Sequence, residues 1–175
     1  MMKTNTLGEK IGYEKEYQPL SVIELSHLLD DFRKNKKSYN VTSTGHNWGY
    51  GCYASHKDSS NHISLQKLNK IIDFDRENGL ITLQPGVTYK HVQKFLKQNA
   101  PEWITPVHGG GPDCSVIGNA LERGYGITPI MDHFSACYSL KAILPDGRLY
   151  ESPLGSINLK SMAKKFRYGI GPYLD

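Results

Sequence analysis

The sequence is short of several things, and each shortage closes a door. Cysteine appears three times, as Cys52, Cys114 and Cys137, an odd number with no CxxC spacing. Neither a disulfide framework nor a zinc site is supported by that usage, and no metal is expected. There is no GxxxxGKS or GxxxxGKT stretch, which excludes a P-loop. There is no GxGxxG placed directly between a strand and a helix, so the dinucleotide fingerprint fails as well. The first eighteen residues, MMKTNTLGEKIGYEKEYQ, contain no apolar core of the signal-peptide kind. No stretch approaches the roughly 18 apolar residues of a membrane span. The net charge is +4, but no Lys/Arg run is long enough to form a nucleic-acid footprint. The densest basic cluster, Arg33, Lys34, Lys36 and Lys37, falls near the end of a predicted helix, where cations suit the helix dipole. The expectation is a soluble, cytoplasmic protein with no nucleic-acid or membrane partner.

What is present suits a folded globular chain: 38% hydrophobic and 22% charged residues over 175 positions. That length makes one ordinary domain or one piece of a larger protein. SVIELSHLLDDFRK predicts a helix with a capping box between Ser21 and Glu24, its apolar stripe being Val22, Leu25, Leu29 and Phe32. SYNVTS predicts a short strand leading into VTSTGHNWGYGCYASH. KIIDFDRENGLITLQPG predicts a hairpin turning at Glu77, Asn78 and Gly79, with Pro85 and Gly86 stopping its second strand. TYKHVQKFLKQ predicts a second amphipathic helix capped by Thr88, with Tyr89, Val92, Phe95 and Leu96 on its apolar face. ACYSLKAILPDGRLYES predicts another hairpin at Pro145, Asp146 and Gly147, and INLKSMAKKF a last helical stretch. Hairpins and helices in this order predict an α+β fold. The chain stops at GIGPYLD with turn chemistry and no closing element, which leads to the expectation that the natural protein continues.

Two glycine-rich segments stand out. Successive backbone N–H groups in tight turns form a concavity for an anion, and small residues let phosphates approach. In the first segment Thr42, Ser43 and Thr44 add hydroxyl donors ahead of Gly45, His46 and Asn47. In the second, Gly109, Gly110, Gly111 and Ser115 are followed by Gly118 and Asn119. The aromatics Trp48, Tyr50 and Tyr53 are read as packing around the first loop.

STGHNWGYG together with GGGPDCSVIGNALERGYGITPIMDHF resembles the FAD-binding domain of the vanillyl-alcohol oxidase and para-cresol methylhydroxylase flavoproteins. The similarity runs from about Tyr17 to Asp175, leaving residues 1–16 as an N-terminal extension. It implies a two-subdomain α+β domain and FAD as cofactor. Thr42 to Asn47 would then cradle the pyrophosphate. Gly109, Gly110, Gly111, Ser115, Gly118 and Asn119 would line the middle of the cofactor, and Gly124, Tyr125 and Gly126 would continue that wall. His133 would lie close to the flavin, and Ile143 is a further candidate contact. His46 is a candidate for covalent flavin attachment, since a neutral imidazole nitrogen can add to the flavin's electrophilic 8-methyl carbon. A noncovalent contact and a plain loop histidine stay open beside it, because STGHN departs from the SGGH form of tethered relatives. Cys114 lies near a second, cysteinyl tether position, with a buried structural thiol as the alternative. Glu122 and Arg123 are expected to form an internal ion pair.

The resemblance implies a flavin-dependent oxidase or dehydrogenase, in which an organic substrate, an alcohol or a phenol, passes a hydride to the flavin. The substrate pocket would come from a C-terminal domain absent here, so the fragment alone is expected to be inactive. Two rivals remain at this stage. One is a non-catalytic flavin-binding or interaction module, or half of a split assembly. The other is a flavin reductase of cell-wall synthesis with the same domain architecture.

Overall fold

The computed structural model describes residues 2–4, 10–46, 60–106, 108–126 and 133–152. The expected helix at INLKSMAKKF, Asn47 and the aromatic cluster after it lie outside those residues. Two short N-terminal strands, β1 (Met2–Thr4) and β2 (Lys10–Gly12), pair antiparallel.

A three-stranded parallel sheet follows, ordered β3 (Glu16–Tyr17), β5 (Asn61–Ser64), β4 (Tyr39–Thr42). The sequence reading found β4 and missed the central strand. All four residues of β5 are buried, yet NHIS offers one apolar side chain and no alternation. Parallel strands covered on both faces do not alternate, which removes the pattern a reader looks for. Helix α1 (Val22–Lys34) crosses between β3 and β4. It begins as expected at Ser21, whose Oγ accepts from the Glu24 N–H at 3.1 Å. The return half of the capping box is displaced by one residue: the Glu24 carboxylate accepts from the Leu20 N–H at 2.8 Å. Phe32 anchors the helix, fully buried between the rings of Tyr17 and Tyr39 at 5.1 and 5.5 Å. Val22, expected on the buried stripe, is exposed.

The hairpin β6 (Ile71–Asp75) and β7 (Leu80–Leu83) turns where expected. Asp75 accepts from the Asn78 backbone and side chain, Gly79 holds φ 65°, and the Trp103 ring covers the turn. Helix α2 (Tyr89–Asn99) packs on this hairpin. Val87, Val92, Leu96 and Ala100 form the buried centre, flanked by Ile71, Phe74, Ile81, Leu83, Phe95 and Val116. Full burial of each of the larger side chains is worth about 1.5–3 kcal/mol. Thr88 caps α2, and His91 completes a capping box in which its Nδ1 accepts from the Thr88 N–H at 3.2 Å. Histidine in the role usually filled by Glu or Gln was not anticipated.

The second glycine-rich segment, read from sequence as a loop throughout, contains a short helix, α3 (Val116–Leu121). A 3-10 turn at His133–Ala136 leads to the last hairpin, β8 (Lys141–Ile143) with β9 (Leu149–Glu151), closed by Gly147 at φ 86°. The architecture is α+β, as the sequence predicted. Among the described residues no helix is long and apolar enough to cross a membrane.

Candidate cofactor site

Strand β4 ends at Thr42, and the chain bends through Ser43, Thr44 and Gly45, the last at φ 71°. This places the first loop at the carboxyl end of a parallel sheet, where α/β folds bind ligands. Thr42 itself is buried and faces inward. Its carbonyl accepts from the Leu65 N–H at 2.8 Å, and its hydroxyl shares a 2.9 Å hydrogen bond with His62 Nε2. His62 in turn stacks on Tyr13 at 4.7 Å, and its Nδ1 lies 3.7 Å from the Glu16 carboxylate. Thr42 therefore fastens the loop, and the open donors come after it. Among the described residues no carbonyl accepts from the amides of Ser43, Thr44 or His46. The His46 side chain is exposed.

The second loop is held by the start of α2. The N–H groups of Tyr89 and Lys90, which a helix's first turn leaves without internal partners, donate to the carbonyls of Cys114 and Pro112 at 3.1 and 2.8 Å. Ser115 is buried among three partners. Its hydroxyl donates to the Pro85 carbonyl at 2.7 Å and accepts from the Gly118 N–H at 2.9 Å. Its own N–H donates to Thr44 Oγ1 at 3.2 Å, which joins the two loops directly. The Cys114 thiol makes a second link: its sulfur lies 2.9 Å from the carbonyl oxygens of both His46 and Gly110, which share its single S–H. Fully buried in this position, Cys114 is a packed structural thiol rather than an accessible tether.

The glycines divide by role. A Cβ on Gly109 or Gly111 would meet nothing within 4 Å, so their faces are open. A Cβ on Gly110 would lie 2.6 Å from Cys114 Sγ. Gly118 sits inside α3, where helical φ/ψ needs no glycine. Gly45 and Gly111, at φ 71° and 88°, are the two in this site whose backbone conformation favours glycine.

Beyond α3 a polar cluster closes the wall. Asn119 Oδ1 accepts from the Tyr89 hydroxyl at 3.0 Å and from His133 Nδ1–H. Tyr89 OH is 3.3 Å from the same nitrogen, and its ring lies 3.9 Å from that of His108. Burial, with the neighbouring Cys114 and Cys137, pushes the Tyr89 phenol up to about 12, so it stays a neutral donor. Burial, and then His133, lower the His108 pKa below the usual histidine value. Tyr125 is exposed, and Gly124 and Gly126 are half-buried. Arg123 lays its guanidinium over the Phe134 ring at 4.7 Å. Ile143 lies on β8, in register with Leu149. Sequence reasoning missed His62 altogether and took Tyr89 for a core aromatic.

Amides at the end of β4 with no carbonyl acceptor among the described residues, two open glycine faces and polar side chains beyond them fit an elongated, doubly phosphorylated cofactor. The profile of a family described as FAD binding domain matches residues 16–152. A 1'-carboxy-chondrochloren decarboxylase of Chondromyces crocatus is 33% identical over 157 residues, covering 90% of this chain and 29% of that protein. The flavoprotein subunit of a hydroxylating 4-cresol dehydrogenase of Pseudomonas putida is 30% identical over 133 residues, covering 76% of this chain and 26% of its own length. A solved structure of p-cresol methylhydroxylase with substrate bound superposes with TM-score 0.80 at 26% identity, over 91% of this chain and 31% of that one. The chain thus spans under a third of the relatives it matches. It belongs to the FAD-binding domain family, among flavoproteins of the p-cresol methylhydroxylase and vanillyl-alcohol oxidase type, and its cofactor is FAD.

Proposed function

We propose that this chain is the FAD-holding part of a flavin-dependent oxidase or dehydrogenase acting on a small organic substrate, an alcohol or a phenol. One observation carries the reading. The two glycine-rich loops are fastened to each other through Ser115–Thr44 and Cys114–His46, while among the described residues no carbonyl accepts from the Ser43, Thr44 and His46 amides and the Gly109 and Gly111 faces are open.

In this reading Ser43 to Asn47 hold the diphosphate, chiefly through backbone N–H groups, and Thr42, expected from the sequence among them, fastens the loop behind them. Gly109 to Gly111 let the cofactor approach, while Ser115 and Gly118 set the loop's shape. Asn119, Gly124, Tyr125, Gly126 and His133 continue the wall, with Ile143 at its edge. Bound FAD would supply a two-electron acceptor for hydride; the chain's own part is to bind, orient and shield it. The substrate pocket and its base would come from a second domain. The relatives' printed names, a cresol dehydrogenase and a decarboxylase of a carboxylated compound, support a small organic substrate. They favour neither a non-catalytic module nor a cell-wall reductase. The free thiols Cys114 and Cys137 suit a reducing, cytoplasmic setting.

The test is extraction of the chromophore from the intact protein and comparison with standards. FAD is the expected result; FMN, or no flavin after reconstitution, overturns the reading. Acid precipitation then decides the role of His46. A yellow pellet that turns colourless in His46→Ala marks a covalent bond, and flavin in the wild-type supernatant marks a noncovalent contact.

A further inference from the structure

We propose that Tyr89 is a positioning residue of the cofactor wall: its buried hydroxyl fixes the Asn119 carboxamide and, through it, the Gly124–Gly126 segment. The inference rests on the reading of the second loop as that wall.

The geometry is a closed ring of contacts. Tyr89 opens α2, the helix whose first N–H groups already grip the second loop at Cys114 and Pro112. From the same turn its hydroxyl donates to Asn119 Oδ1 at 3.0 Å, thirty residues on. Asn119 Oδ1 also accepts from His133 Nδ1–H. The backbone completes the circuit: the Gly124 N–H donates to the Asn119 carbonyl at 2.8 Å, and the His133 N–H donates to the Gly124 carbonyl at 2.7 Å. A Cβ on Gly124 would collide with the Asn119 side-chain amide. The backbone at Gly124 and the carboxamide at Asn119 therefore occupy one close-packed spot, and moving either moves the other.

The Tyr89 hydroxyl is the member of this ring contributed from outside the second loop and its continuation. Without it, Asn119 and His133 still bond each other, but their tie to α2 loses its hydrogen bond and keeps the 6.4 Å ring contact between residue 89 and His133. Tyr89 is 6% exposed, and its ring is seated against His108. Removing the oxygen alone leaves that packing in place. The phenol's neutrality over the working pH range keeps it a donor throughout.

The experiment uses the intact flavoprotein with three readouts: amide hydrogen exchange, flavin content and the visible circular dichroism of bound flavin. Tyr89→Phe should raise exchange at Gly124 about fivefold, the factor for one lost neutral hydrogen bond. It should lower flavin content and alter the flavin's visible band, while exchange in β6 and β7 keeps its wild-type rate. Gly109→Leu probes the wall independently, since its side chain would enter open space away from the ring; flavin content should fall with Gly124 exchange unchanged. If Gly109→Leu keeps full flavin, the wall reading itself fails. If Gly109→Leu loses flavin while Tyr89→Phe matches wild type in flavin content and visible band, the wall stands and the positioning role is overturned. A Tyr89→Phe protein that does not fold would also overturn it, because the hydroxyl would then serve the core.

Discussion

The Cys114 thiol donates a 2.9 Å hydrogen bond to the His46 carbonyl, across a gap of 68 positions in the chain. The same S–H is shared with Gly110 O, also 2.9 Å away, so one buried side chain joins the two loops. A thiol is a weak donor, and its burial contributes as much as its hydrogen bonds. Cys114 should resist alkylation in the folded protein, while half-buried Cys137 reacts sooner. Peptide mapping after a timed pulse of iodoacetamide reads both rates. Cys114→Ala should lower stability by about 1–2 kcal/mol, from the small cavity and the lost donor together. Equal labelling of both thiols would disprove the buried link.

Gly109 and Gly110 are neighbours with opposite prospects. A methyl at Gly110 would meet Cys114 Sγ at 2.6 Å, inside any normal contact distance. Gly110→Ala should cost about 1–3 kcal/mol, the usual price of overpacking a filled site. Gly109→Ala meets nothing within 4 Å and should melt like wild type. Urea denaturation of the two variants side by side makes the comparison. A Gly109→Ala protein less stable than Gly110→Ala would contradict this division of the loop.

Tyr89 makes stability depend on alkaline pH. Its folded pKa is raised to about 12 from an ordinary 10.0, so folding favours the neutral phenol. That contribution is fully present below pH 10 and is lost as the pH rises towards 12. Two units correspond to about 2–3 kcal/mol. The absorbance of ionised tyrosine near 295 nm should lose its latest-titrating component in Tyr89→Phe. The loss of stability between pH 10 and 12 should be smaller in Tyr89→Phe. His108 shifts the other way: its pKa is lowered by burial, so its contribution is present above the ordinary histidine value and is lost as pH falls. Imidazole NMR signals that titrate at or above the ordinary value would contradict that direction.

How much of this was legible beforehand depended on the range of the physics involved. Thr88, Ser21 and the Glu77–Gly79 turn act within four residues, and the sequence showed them. The two loops were visible as unusual composition, and a family resemblance joined them. Their link through Cys114 was not readable, because nothing local at Cys114 points to His46. Strand β5 was invisible for a related reason. NHIS is buried by its neighbours on both sides of a parallel sheet, and its own side chains give no periodic signal. Tyr89 fitted the apolar stripe of α2, and its spacing alone could not show that its hydroxyl turns towards Asn119.

His62 extends the argument from β5 to function. It is fully buried, bonded to Thr42 Oγ1 and close to Glu16, whose side chain is also nearly buried. Thr42 is the last residue before the first loop, so His62 braces the point where β4 gives way to the open amides. His62→Leu keeps similar bulk and removes a polar partner from the Thr42 hydroxyl, a change worth about 1–3 kcal/mol at a buried site. The control is Leu96→Ala in α2, which removes core volume and should cost about 2–5 kcal/mol. Each intact variant is assayed for flavin content at a temperature where it is fully folded. His62→Leu should retain less FAD than wild type, because the loop's anchor is loosened. Leu96→Ala should melt earlier yet hold its flavin, since its packing is against the β6–β7 hairpin. The opposite ranking, with flavin lost in Leu96→Ala and kept in His62→Leu, would mean that the first loop holds its shape without the His62 brace on Thr42.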